Sequence, residues 1–62
     1  RQAIEVFRLN VSLYPKSAKA YFKLGAAYES VGEKTLAAEN FKKALELDPT
    51  DKEAAERLKK IK

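Results

Sequence analysis

The stretch AKAYFKLGAAYESVGEKTLAAENFKKALELDPTD, residues 18–51, decides how the rest of the chain is read. Tyr21, Leu24, Tyr28 and Val31 recur on one side of a helical period, with Phe22 to the side and Gly25 and Ala27 as small neighbours. Ser17 is a good N-cap for this helix, because its hydroxyl can accept from a free N–H of the first turn. Gly32 follows Val31 and suits the left-handed position that closes many helices. A second helix starts between Glu33 and Thr35 and carries Leu36, Ala37, Phe41, Ala44, Leu45 and Leu47 until Asp48 and Pro49 stop it. Glu39 and Lys43 stand in the favourable i,i+4 order for an ion pair on its outer side. Gly25 is the anomaly, since glycine inside a helix costs roughly 1 kcal/mol against alanine. Close approach of another helix is the reason its presence implies.

Outward from this stretch the same grammar continues. Ala3, Ile4, Phe7, Val11 and Leu13 or Tyr14 form a helical apolar stripe that Pro15 ends. On the other side Thr50 with Glu53 has the spacing of a capping box, and Asp51 is the alternative N-cap. The helix that follows has only Ala54, Ala55, Leu58 and Ile61 on its apolar side, against Glu53, Glu56, Arg57, Lys59, Lys60 and Lys62. The expectation is therefore an all-α chain of about four helices.

Self-similarity at an offset of 34 ties the parts together. Between residues 1–17 and 35–51 it pairs Ala3 with Ala37, Glu5 with Glu39, Phe7 with Phe41, Leu13 with Leu47 and Pro15 with Pro49. Continuing the offset pairs Ala20 with Ala54, Lys23 with Arg57 and Leu24 with Leu58. A two-helix unit repeated at this period is the mark of a stacked array, in which one hairpin cannot bury both its apolar faces alone.

This pattern resembles the tetratricopeptide repeat. Tyr21, Leu24, Gly25 and Tyr28 stand at that family's spacing on the first helix, and Ala37, Phe41, Ala44 and Pro49 on the second. The resemblance implies antiparallel helical hairpins of a right-handed solenoid. Residues 18–51 make one complete unit. Residues 1–17 match the second helix of a preceding unit, with Asn10 where a small residue is expected, and the chain reads as a slice of a longer array. Residues 52–62 match a following first helix, but Ala55, Lys59 and Lys62 replace the aromatic, the glycine and the tyrosine. That helix is expected to be a polar cap.

Composition narrows the activity. The 62 residues include no cysteine and no histidine, so a disulfide framework, a thiolate metal site and an imidazole base are all excluded. Ser12, Ser17, Ser30, Thr35 and Thr50 are hydroxyls with nothing in the pattern to place a base beside them, and no Gly-rich phosphate loop is present. Neither an enzyme nor a cofactor is expected. No uncharged run approaches the roughly 18–20 residues that cross a bilayer, so a cytoplasmic chain without a membrane partner is the reading.

Net charge is +4, but residues 1–51 hold eight Lys/Arg against seven Asp/Glu, while residues 52–62 hold five against two. Four cations on the last helix, Arg57, Lys59, Lys60 and Lys62, invite a nucleic-acid or anionic-surface reading. No aromatic interleaves them to stack a base, so a charged, soluble cap is preferred.

A binding module for a protein or peptide is the leading expectation. The resemblance implies a groove lined by the first helices of successive units, and by register Lys19, Phe22, Lys23, Ala26, Glu29 and Ser30 face it. Phe22 lies off the main stripe, so its ring either packs on a neighbouring helix or is offered to a partner. Lys19 and Lys23, one turn apart, loosely resemble the basic clamp some members use for peptide C-termini, although its remaining residues from neighbouring repeats are absent here. The alternative function is homo-oligomerisation through a first helix that lacks its own partner, leaving Ile4, Val6, Phe7 or Val11 open.

Overall fold

The computed structural model describes residues 2–61, with side-chain surroundings from residue 4 onward. Arg1, Lys62 and the side chain of Ala3, the last two expected above to belong to the basic set and the repeat pattern, lie outside the described residues. Four helices follow one another: α1 (Gln2–Leu13), α2 (Ala18–Ser30), α3 (Lys34–Leu47) and α4 (Lys52–Ile61). Each packs on the next, and the short connections at 14–17, 31–33 and 48–51 reverse the chain, which makes neighbours antiparallel.

The ends of the helices follow from local chemistry. Ser17 caps α2, its Oγ accepting from the Ala20 N–H at 3.2 Å. Asp51 caps α4 in the same way, its Oδ1 accepting from the Ala54 N–H at 3.1 Å. This decides between the two caps left open by the sequence, since the Thr50 hydroxyl instead donates to Asp48 Oδ1 at 2.6 Å. At the end of α2 the Gly32 N–H donates to Glu29 O and the Glu33 N–H to Tyr28 O, the paired bonds of a Schellman closure. Gly32 has φ +85°, a conformation that side-chain-bearing residues rarely adopt.

The offset of 34 is written into the backbone as well as the side chains. In the α1–α2 turn, Tyr14 N–H donates to Asn10 O, Ser17 N–H to Tyr14 O and Tyr21 N–H to Ser17 O. In the α3–α4 turn, Asp48 N–H donates to Ala44 O, Asp51 N–H to Asp48 O and Ala55 N–H to Asp51 O. Each bond in the second set lies 34 residues after its counterpart. Ser17 and Asp51 differ as residues but do the same job, and Ala20 and Ala54, the donors they hold, are both buried.

The core lies between α2, α3 and α4. Ala37, Phe41 and Ala44 of α3 and Ala54 of α4 are fully buried in one cluster, Gly25 of α2 lies against Phe41, and Ala20 and Leu24 of α2 are buried outside that cluster. Small residues dominate because the helices approach closely, and among the described residues Phe41 is the one large side chain wholly enclosed. Gly25 makes room for it. A Cβ at that position would lie 2.9 Å from two ring carbons of Phe41 and 3.2 Å from the Ala37 carbonyl oxygen. The close approach expected from an interior glycine is therefore found between α2 and α3.

Three expectations about individual residues are corrected. Val31 does not complete the packed stripe of α2, because it is the C-cap, where the chain already turns away, and it is half exposed. Leu36, in the first turn of α3, is likewise exposed. Lys43 pairs with Glu46 at 3.8 Å rather than with Glu39, and its Nζ lies 6.0 Å from the centroid of the Tyr21 ring.

Candidate partner-binding face

On α2, a rotation of about 100° per residue puts Lys19, Phe22, Lys23, Ala26, Glu29 and Ser30 within one arc of about 120°. That arc is turned away from the buried Ala20 and Leu24, while Gly25 borders it on the side of Phe22 and Glu29. Lys19, Lys23 and Ser30 are exposed, while Phe22, Ala26 and Glu29 are half-buried. The six residues therefore share a face, but not an environment.

The half around Phe22 is occupied from within the molecule. Its ring packs on Phe41 with centroids 5.5 Å apart and planes tilted by 52°. The guanidinium carbon of Arg57, on α4, lies 5.4 Å from the Phe22 centroid. The same guanidinium donates from Nη1 to Glu29 Oε1 at 3.2 Å and approaches Glu53 Oε2 with Nη2 at 3.7 Å. Arg57 thus ties α4 to α2 across the face. Of the two alternatives for Phe22, packing is what the ring does, leaving only part of it exposed. Ser30 stays exposed, its hydroxyl donating to Ala27 O of its own helix at 2.8 Å.

The half around the lysines is open. Neither Lys19 nor Lys23 enters an ion pair among the described residues. The two stand between two shallow depressions. One, of about 450 Å³, has Ala18, Lys19, Phe22 and Lys23 on one wall and Asp48, Asp51 and Glu53 on the other. The second, of about 210 Å³, is shared by the same lysines with Asn10, Tyr14, Ser17 and Ala20.

The residues named for self-association separate. Ile4, Phe7 and Val11 are half-buried on the side of α1 that meets α2, and Val6 is exposed. Val6 belongs with Leu9 and Leu13, which are 55%, 58% and 60% exposed and lie on one side of α1 at i, i+3 and i+7. The sequence puts Leu13 or Tyr14 in the stripe of Ile4, Phe7 and Val11, and this is corrected, because both are exposed and Leu13 instead shares a side with Val6 and with Leu9, which the sequence reading leaves out. The cationic set on α4 is also divided: Lys59 and Lys60 are exposed, while Arg57 is taken up by Glu29, Glu53 and Phe22. Among the described residues no group of three or more Asp and Glu side chains is placed to hold a metal ion, and no helix is long and apolar enough to cross a membrane.

A helical hairpin repeated at an offset of 34, with a glycine that admits a buried phenylalanine, is the arrangement of a helical repeat protein. The sequence profile of the tetratricopeptide repeat matches residues 18–51, more than half of the chain, and the chain belongs to that family. It is similar to Heat shock protein STI1 of Saccharomyces cerevisiae, with 43% identity over 51 residues that cover 82% of this chain. Those residues span 9% of that relative. Repeats of this family generally mediate protein–protein interaction.

Proposed function

We propose that this chain is a protein–protein interaction module that takes an extended segment of a partner along the exposed side of α2, at Lys19, Phe22 and Lys23. The observation that carries the reading is the pair of exposed lysines, without an ion pair among the described residues, between two depressions and beside a half-buried aromatic ring. Charged heads on long stems, next to a packed apolar ring, are suited to a chain that brings its own polar backbone. Binding rather than catalysis is the activity this surface supports.

In this reading residues 18–51 are the complete unit, residues 1–17 are the second half of another, and residues 52–62 close the stack. The closing role follows from Lys59, which stands 34 residues after Gly25. A helix packing on α4 as α3 packs on α2 would meet a lysine where Gly25 leaves no room even for a methyl group.

The test is selection from a random-peptide display library on the immobilised chain, followed by binding of the selected peptides to variants. Binding is expected to fall with Lys19→Ala and Lys23→Ala and to survive Leu9→Lys. Loss on Leu9→Lys with no effect of the lysine variants would move the binding surface to α1.

A second reading, self-association, is favoured by the Val6, Leu9 and Leu13 stripe, because exposed large apolar groups in a row mark an interaction surface. Sedimentation over a concentration series decides it. A concentration-dependent dimer that Leu9→Lys abolishes supports this reading, and a monomer throughout removes it.

A further inference from the structure

We infer that the partner segment this face selects is of mixed charge, carrying an acidic and a basic residue about three positions apart, rather than a run of acidic residues. The inference rests on the binding reading above and concerns what chemistry the same face accepts.

The larger depression is electrically divided. Lys19 and Lys23 form its α2 wall, and Asp48, Asp51 and Glu53 form the wall opposite, with Ala18 and Phe22 as apolar surface between them. No ion pair joins the lysines to these carboxylates among the described residues. They are instead held in place by their own side of the molecule. Asp48 accepts the Thr50 N–H at 3.2 Å and its hydroxyl at 2.6 Å, both on Oδ1. Asp51 accepts the Ala54 N–H on Oδ1, and Glu53 meets Arg57 with Oε2. Each carboxylate thereby keeps an oxygen outside these contacts, and an ionised carboxylate offers about four acceptor sites in all.

Such a surface discriminates by sign. An acidic segment gains from the lysines but is repelled by the facing wall, and a basic segment meets the reverse. A segment with one charge of each sign gains on both walls. An extended chain of the polyproline type advances about 3.1 Å per residue and completes a turn in three, so an acid and a base three residues apart lie on one side of it, separated by about 9 Å, from where long side chains reach the two groups of charges.

The direct test uses three fluorescent peptides of one length, blocked at both ends so that no terminal charge contributes. One carries acid and base three positions apart with leucine between them, one has acids at both positions, and one has bases at both. Exposed ion pairs are weak, so the mixed peptide should bind the intact chain about three- to tenfold more tightly than either other peptide. The preference should shrink at high ionic strength. Glu53→Lys should turn the preference toward the acidic peptide; Glu53 is exposed, and circular dichroism verifies that the variant keeps its helices. Equal binding of all three peptides, or best binding of the acidic one to the unaltered chain, would overturn the mixed-charge inference. If that binding still depended on Lys19 and Lys23, the binding reading itself would stand. Failure of every peptide to bind at about 1 mM, the weakest affinity worth calling recognition, would overturn both.

Discussion

Replacing Gly25 with alanine asks whether the α2–α3 packing is as close as the geometry says. In an open helix position this substitution stabilises, by roughly 1 kcal/mol of helix propensity. Here the added methyl carbon would lie 2.9 Å from two carbons of the Phe41 ring and 3.2 Å from the Ala37 carbonyl oxygen. Neither neighbour has an easy retreat. Phe41 is completely buried and already packed on Phe22, and the Ala37 oxygen belongs to the backbone of α3. Inserting a methylene into a filled core typically costs about 1–3 kcal/mol, and the rigidity of both neighbours puts this site at the upper end. The propensity gain offsets only part, leaving a net loss of about 1–2 kcal/mol. For a domain of this size that lowers the melting temperature by roughly 5–15 °C. Thermal and urea denaturation followed by far-ultraviolet circular dichroism measure it. A companion pair sharpens the result: in a Phe41→Leu background the same Gly25→Ala change should cost less or become favourable, because the ring it strikes is gone. An unchanged or higher melting temperature for Gly25→Ala alone would refute the reasoning.

Other consequences can be checked with the same instruments. Asp51→Ala removes the acceptor for the Ala54 N–H and should cost about 1 kcal/mol, read as earlier loss of amide protection in α4 than in α2. Gly32→Ala forces a side chain into φ +85° and should cost about 1–2 kcal/mol in urea unfolding, although nothing crowds the site. Arg57 and Glu29 are partly exposed, at 40% and 33% of their side-chain surface, so a double-mutant cycle of Arg57→Ala with Glu29→Gln should give a coupling of only about 0.5–1 kcal/mol. A coupling near zero would mean that Phe22 and Glu53, not Glu29, hold Arg57.

The sequence was most informative where a residue's role is decided within a few positions of itself. Ser17 and Gly32 were legible as helix boundaries because capping and left-handed closure are local chemistry. The repeat was legible because Phe7 and Phe41, and Pro15 and Pro49, recur at one offset. Gly25 announced a close contact, and the register named Phe41 among the packed positions, but only the three-dimensional arrangement joined the two. The site was less legible for the same physical reason. Whether Phe22 was open or covered depended on Arg57, which arrives from another helix and is itself steered by Glu29. The acidic wall was missed because Asp48 and Asp51 read as a helix stop and a cap, roles they do fill while also lining a depression. Val31 shows the limit of periodicity, which counts residues past the point where the helix has ended. On α1, Ile4, Phe7 and Val11 were placed on the open side when the apolar residues of that helix in fact divide between two sides, with Val6, Leu9 and Leu13 outward.

The central claim, that partner segments bind along α2 beside the lysines, is tested most directly by amide chemical-shift mapping of the labelled chain titrated with a selected peptide. The shifting amides are expected to cluster at Lys19, Phe22, Lys23 and Ala26 and across the depression at Asp51 and Glu53, leaving Val6, Leu9 and Leu13 unmoved. Shifts concentrated on α1, with α2 silent, would contradict it.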